Sequence, residues 1–319
     1  MISIMKKFDV SVIGELNVDF ILNKNESFPV MGKEVLAGEM NLTLGSSSAI
    51  FASNLSSLGA KVAFVGKLGK DAFGELVLQT LNKSGVDTSA IDQRADLNTG
   101  ATAILNFGED RAMITHPGAM EYLTAADINW KIIKQSHHLH FSSFFIQKAI
   151  RKDIALIFKN AKSEGLTTSF DPQWDPAEKW EIDLEQILPY VDIFLPNEKE
   201  LLHITQCASV EAAIQKIENI AHTIVLKQGN KGSTIYAREE SFSQPAFLND
   251  AVVDAIGAGD SFNAGFIYKF IQNSPLRVCQ AFGNVIGAVS TTAAGGTNAF
   301  ADKQHILTIA KDRFGYVEN

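Results

Sequence analysis

Residues 252–270, reading VVDAIGAGDSFNAGFIYKF, combine a short β-prone run ending at Asp254, the small residues Gly257, Ala258 and Gly259, and a helical pattern that opens directly after Asp260. The first N–H groups of a helix have no internal partners and lie at the positive end of its dipole, so a tight glycine turn entering a helix is a place to hold an anion. With no bulky side chain in the way, the amides of 257–259 can approach phosphate oxygens closely. Phe262, Phe266, Ile267, Phe270 and Ile271 recur at helical spacing, which predicts one face anchored in a core. Asp260 is the odd residue, because a carboxylate repels phosphate. Two readings of it stand side by side. It is an N-cap, a position where Asp is preferred, or it is a general base that takes a proton from an attacking hydroxyl while nearby amides neutralise a phosphoryl group. The second pair of tasks belongs to phosphoryl transfer to an alcohol.

The elements that must position such a turn are visible around it. Phe8–Ile13 is a short apolar run ending at Gly14 and reads as a buried strand. In an extended stretch just after it, Asn17 and Asp19 point to the same side and offer an amide and a carboxylate to ligand hydroxyls, although an Asx-type turn fits the same residues. From Ile146 onward helical runs alternate with strands at 167–170, 192–195 and 223–227, the rhythm of a mostly parallel sheet with helices on both faces. Ligands in such folds gather at the carboxyl ends of strands. There the chain carries Asp171, then Asn197-Glu198-Lys199-Glu200, then Lys227-Gln228-Gly229. Asn197 with Glu200 also has the spacing of a capping box. Two stretches break the rhythm: 21–44, and 101–114 with a turn at Gly108-Glu109-Asp110, both of which alternate as short β-strands do. His138 and His140 share one face of a strand but lack a third ligand at local spacing, which argues against a metal there.

Composition narrows the class. The 319 residues are 46% hydrophobic and 20% charged, which is ordinary for a globular chain, and the formal net charge of −8 leaves no electrostatic footprint for nucleic acid or an anionic membrane. Cys207 and Cys279, each within a helical pattern, read as buried free thiols. The opening MISIMKKFDVSVIG has no apolar signal region and no run is long enough to span a bilayer, so a cytoplasmic location is expected.

The run from Asp254 to Phe266 resembles the DTxGAGDxFxxGF motif of the ribokinase-like (PfkB) family of carbohydrate and nucleoside kinases, with Ala255 at the Thr position. Residues 66–88, containing Gly66, Gly69, Asp71, Gly74, Gly85 and Val86, resemble its first glycine-rich motif, and His116-Pro117-Gly118-Ala119 its GAN-like turn. The resemblance implies a doubly wound, mostly parallel α/β fold with a small β-stranded lid. The main domain would comprise residues 1–20, 45–97 and 119–319, with the lid inserted as 21–44 and 98–118. It implies ATP and Mg²⁺ as cofactors. Asp260 would be the catalytic base and Gly257, Ala258 and Gly259 the rest of the anion hole. Asn17, Asp19 and Gly45 would serve the substrate; Arg111, on the second lid piece, is placed either to reach the substrate or to stand as a solvated surface arginine. Asn197, Glu200, Lys227, Gly229 and Asn284 would serve the nucleotide, with Glu200 acting on Mg²⁺ through water and Asp254 beside a monovalent cation such as K⁺. Where the family has GGxxxN, Gly45 stands but Ser46 replaces the second glycine and Ile50 the Asn; the loop also lacks the Lys often seen in members acting on sugar phosphates. An unphosphorylated sugar or sugar acid is the expected substrate. The alternatives are a nucleoside, with Ile50 and Phe51 or Phe107 as a slot for the base, and a non-catalytic sugar sensor on the same fold. A homodimer through the lid is the expected assembly.

Overall fold

The computed structural model describes residues 6–107, 110–238 and 240–318; Met1–Met5 and the Gly108-Glu109 part of the expected turn lie outside them. The strands are β1 (Phe8–Ile13), β2 (Asn17–Asn25), β3 (Ala37–Leu44), β4 (Val62–Gly69), β5 (Asp87–Arg94), β6 (Gly100–Phe107), β7 (Asp110–His116), β8 (Ser136–Ser142), β9 (Thr167–Asp171), β10 (Ile193–Phe194), β11 (Thr223–Lys227), β12 (Ser233–Ala237) and β13 (Glu240–Gln244). Nine of them form one sheet in the order β13-β12-β11-β10-β9-β8-β1-β4-β5, and β3-β2-β6-β7 form a second. From β5 to β11 the large sheet is parallel, and β12 and β13 add an antiparallel edge. The doubly wound α/β architecture expected from the strand rhythm is therefore present.

The helices are α1 (Ser47–Ser57), α2 (Ala72–Lys83), α3 (Trp130–Ile133), α4 (Ile154–Ser163), α5 (Leu184–Ile187), α6 (Glu198–Thr205), α7 (Val210–Ile217), α8 (Ala258–Phe270), α9 (Leu276–Ser290) and α10 (Lys303–Phe314). Two cores result. One lies between the sheet and α1, α2, α8, α9 and α10, built on Phe51, Phe64, Phe266 and Phe282. The other lies on the opposite face around Phe141, Phe158, Phe170 and Phe194, under α4, α6 and α7. None of the described helices is long and apolar enough to cross a membrane.

Four expectations are corrected. Val252–Asp254 is irregular chain with a bend at Val253, not strand, and Val252 and Val253 are exposed, because the chain there loops over the end of α9 and Val253 N bonds to Thr291 O. α8 begins at Ala258, three residues earlier than the pattern suggested, with Gly257 as its cap at φ 73°. α8 is also buried all round from Asp260 to Lys269, so its apolar periodicity understates its burial. Cys207 lies beyond the end of α6, whose left-handed C-cap is Gln206; Cys279 is helical and buried. His138 and His140 are buried on β8 and bonded to hydroxyls, His138 to Thr167 at 2.8 Å and Ser169 at 2.7 Å, His140 to Ser169 at 2.7 Å. Burial pushes the His138 imidazole down to about 3.

The packing of α8 on α9 depends on the absence of side chains at their contact. A Cβ at Gly265 would lie 2.8 Å from Ile286 Cβ and 3.0 Å from Phe282 O. Gly265→Val is expected to destabilise the fold by about 1–3 kcal/mol, the usual cost of overpacking, read as a lower urea midpoint with unchanged slope.

Candidate active site

One cleft of about 650 Å³ opens at the carboxyl ends of the large-sheet strands and is roofed by the second sheet. The strand order changes direction at β1, which has β4 on one side and β8 on the other, and this is where doubly wound sheets open a crevice. Of the residues singled out from the sequence, Asn17, Asp19, Arg111, Asn197, Glu200, Lys227, Gly229, Gly257, Ala258, Gly259, Asp260 and Asn284 all line it. Gly45 stands behind the wall, and Asp254 holds the loop beneath it.

At the α8 end, Ala258 N bonds to Ala255 O at 3.3 Å and Ser261 N to Gly257 O at 2.8 Å, which leaves the N–H groups of Gly259 and Asp260 without a backbone partner among the described residues. Gly257 takes a left-handed turn, and any Cβ there would meet Gly296 Cα at 2.8 Å and Ile50 Cγ2 at 3.1 Å. Asp254 secures the approach, accepting from Ile256 N and from Gly295 N, each at 2.9 Å. Asp260 is the third residue of α8 rather than its cap, so the N-cap reading of it does not hold. Burial, then the charge of Asp171, pushes its carboxyl up to about 7 against the pull of Lys227.

Beside it lies a charge network that the sequence did not announce. Asp171, fully buried at the end of β9, accepts from Lys227 Nζ at 2.7 Å, from Gln173 Nε2 at 3.0 Å and from Asn263 Nδ2. Gln173 Nε2 also donates to Asp260 Oδ1 at 2.9 Å. Burial works to lower the proton affinity of Lys227, but Asp171 and Glu200 outweigh it and hold the ammonium charged. Asn197 and Glu200 form the expected capping box of α6, with bonds of 2.8 and 2.9 Å, and burial and Asp171 raise the Glu200 carboxyl. Asn284 on α9 accepts from Ser233 Oγ at 3.1 Å.

At the other end, Asn17 and Asp19 are buried neighbours on β2, and Asn17 Nδ2 donates to Thr102 Oγ1 at 2.9 Å. A Cβ at Gly45 would lie 2.3 Å from Asp19 Oδ1 and 2.6 Å from Asn17 Oδ1, so only glycine admits both side chains. Burial, then Asp254, pushes the Asp19 carboxyl up to about 7, with Arg111 opposing. Ser46 occupies φ 71°, ψ 122°, a backbone state suited to glycine, and its hydroxyl compensates by donating to Glu15 O at 2.6 Å while accepting from Ala49 N at 3.0 Å. Ile50 packs on Gly257 and Gly296, whereas Phe51 turns into the core and stacks on His140 at 3.8 Å. Phe51 thus cannot form the slot for a base that a nucleoside would need. Glu15, also missed from the sequence, lines the cleft and accepts from Ser143 Oγ at 2.7 Å and Ser48 N at 3.2 Å. Its position directly after a strand-ending glycine was the available signal.

Fold and cleft define a doubly wound α/β protein with its ligand site at the strand ends, and comparison with known proteins gives the family. The pfkB family carbohydrate kinase model matches residues 7–303, and the chain belongs to that family of ATP-dependent carbohydrate kinases. It is 29% identical to fructokinase-1 of Zea mays over 287 residues, 83% of this chain and 87% of that protein. It is 30% identical to ribokinase of Lactococcus lactis over 272 residues, 83% of this chain and 84% of the relative. Among solved structures, ribokinase of Thermotoga maritima superposes with a TM-score of 0.81 at 26% identity, covering 96% of this chain and all of that one. The Arabidopsis thaliana ribokinase complexed with ribose and ATP gives 0.82 at 22% identity, covering 95% and 99%.

The raised Asp260 carboxyl carries a consequence for stability. A buried acid with its folded pKa at about 7, against 3.8 when exposed, penalises the native state wherever it must ionise. The penalty is complete above pH 7 and fades as pH falls toward 4. Asp260→Asn is therefore expected to raise the melting temperature at pH 8 by several degrees and to have little effect near pH 4, measured by thermal denaturation across that range.

Proposed function

We propose that the enzyme transfers the γ-phosphoryl group of ATP to the hydroxymethyl group of a free sugar or sugar acid, with Asp260 as general base. The observation that carries this is the pairing, in the first turn of one buried helix, of a carboxylate tuned to about 7 with N–H groups that have no backbone partner. A base is most effective when its pKa lies near the working pH, and amides fixed in a dry site stabilise charge without reorganising. Asp260 takes the hydroxyl proton, while the N–H groups of Gly259 and Asp260 donate to the transferring phosphoryl. Lys227 stands on the same side, its Nζ 3.8 Å from where a Cβ on Gly259 would be.

Glu200 and Asp260 line this part of the cleft and the fully buried Asp171 stands behind them, three carboxyl groups against the ammonium of Lys227. That excess suits Mg²⁺, which Glu200 and Asn197 would hold through water. Such an ion keeps its waters and binds mainly to phosphates, so a single nearby carboxyl suffices. When bound, Mg²⁺ neutralises charge on the nucleotide. Asn284 and Gly229 border the nucleotide in this reading, and Asp254 is the residue that would face K⁺. Asn17 and Asp19 bind sugar hydroxyls. Glu15 and Asp19 make the sugar end acidic, with Arg111 as the cation that opposes Asp19, which supports an unphosphorylated substrate. The second sheet, with Met40 and Ile114 exposed, is the lid of this reading and the surface for pairing with a second copy in the cytosol.

ADP release with Mg-ATP across free pentoses, hexoses, sugar acids, sugar phosphates and nucleosides tests the reading. A strong response to one free sugar or sugar acid supports it, and a nucleoside or sugar phosphate response overturns the substrate class. Asp260→Asn is expected to retain ATP binding and to lose roughly two to four orders of magnitude in turnover; an undiminished rate removes Asp260 from the mechanism. Gly45→Ala, which forces Asn17 and Asp19 apart, is expected to raise the sugar KM about 10-fold or more while the ATP KM stays within about 3-fold. Steady-state kinetics in both substrates separates the two.

A further inference from the structure

Gln173 follows β9 by two residues and has a left-handed backbone, with φ 60°. A long side chain seldom occupies that region without a reason outside its own backbone. Here the conformation turns the amide back over the strand end. Its single Nε2 donates to Asp171 Oδ2 at 3.0 Å and to Asp260 Oδ1 at 2.9 Å, and its backbone N donates to Asp171 Oδ1 at 3.3 Å. Asp171 does not depend on it, since Lys227 and Asn263 already bond to that carboxylate. The contact that Gln173 alone supplies is the one to Asp260.

We propose that Gln173 is a positioning residue that selects which oxygen of Asp260 acts as the base. By occupying Oδ1 it leaves Oδ2 to meet the substrate hydroxyl, and through Asp171 it fixes the carboxylate against Lys227 and Asn263. A neutral NH₂ group suits this place because it has two hydrogens for two carboxylates and adds no charge. An ammonium would also bridge them, but it would lower the proton affinity that a base requires. Without the amide, Asp260 faces the like charges of Asp171, Glu15 and Glu200 with Lys227 and the Ser47 hydroxyl opposing them, and its carboxylate loses its tie to Asp171. The proposal rests on the reading of Asp260 as base.

The test is a double-mutant cycle on the intact enzyme, using the sugar found in the panel. Gln173→Ala is expected to lower kcat roughly 10- to 100-fold, the scale of a misplaced reacting group, with both KM values within about 3-fold of wild type. Gln173→Asn, which accepts the left-handed backbone but is one methylene too short to reach both carboxylates, is expected to fall between; it carries the test if the alanine variant does not fold. In the Asp260→Asn background, Gln173→Ala is expected to cost less than about 3-fold more, because the oxygen it orients no longer acts as a base. An equal fold loss in both backgrounds, or a raised KM with unchanged kcat, overturns the proposal. Full turnover by Asp260→Asn alone would defeat the base reading itself, and so is distinguishable from a failure at Gln173.

Discussion

The buried carboxylate of Asp171 is the charge around which the cleft is arranged. A carboxylate with no access to water must be matched by donors, or the native state bears its desolvation. Here the donors come from separate parts of the chain: Lys227 from the end of β11, Asn263 from the middle of α8, and Gln173 from the loop after β9. Satisfying one residue thus fixes three elements relative to one another, and those elements carry the lysine, the anion-binding turn and the proposed base. Removing Asp171 would take from the Lys227 ammonium its direct partner and leave only Glu200 and Asp260 to offset its charge, so these positions are bound together more tightly than their distances in sequence suggest.

The position of α8 shows how chemistry and stability compete. Its amino-terminal turn has to be rigid for its amides to act on an anion, so the helix is buried from Asp260 to Lys269 while Gly257, Ala258 and Gly259 face the cleft, with glycines at 265, 283 and 287 letting α9 approach. The same burial makes ionisation of Asp260 costly. The fold absorbs that cost through two large apolar cores on opposite faces of the sheet. A site of this kind is destabilised for the sake of its proton affinity, the usual trade between function and stability.

Much of this was legible in the chain. The alternation of apolar strands and helices from Ile146 onward specified the parallel sheet, and the small residues 257–259 ahead of Asp260 located the anion-binding turn. What escaped was of two kinds. Local propensity misled at Val252 and Val253, whose β-branched side chains suit a strand although the chain there runs irregularly past the end of α9. Long-range pairing was invisible: Gln173 reaches Asp260 across 87 residues and Asn263 reaches Asp171 across 92, and no periodicity encodes such contacts. Ser46 is intermediate. Its departure from a glycine was readable, but that its hydroxyl would offset an unfavourable backbone by capping α1 required the coordinates.

Of the links between the two sheets, the one from β1 to β2 is just Gly14, Glu15 and Leu16, so β2 is almost a continuation of β1, a central strand of the large sheet. Leu16 is fully buried and the Glu15 carboxylate is held by Ser48 and Ser143, which pins this short crossing to α1 and to the end of β8. The second sheet is consequently a cantilever clamped at its root, not a flap on a slack tether. A load on its far edge is transmitted as torque to the strand at the switch point, and the region that must yield is a dry, hydrogen-bonded pivot beside the sugar end of the cleft.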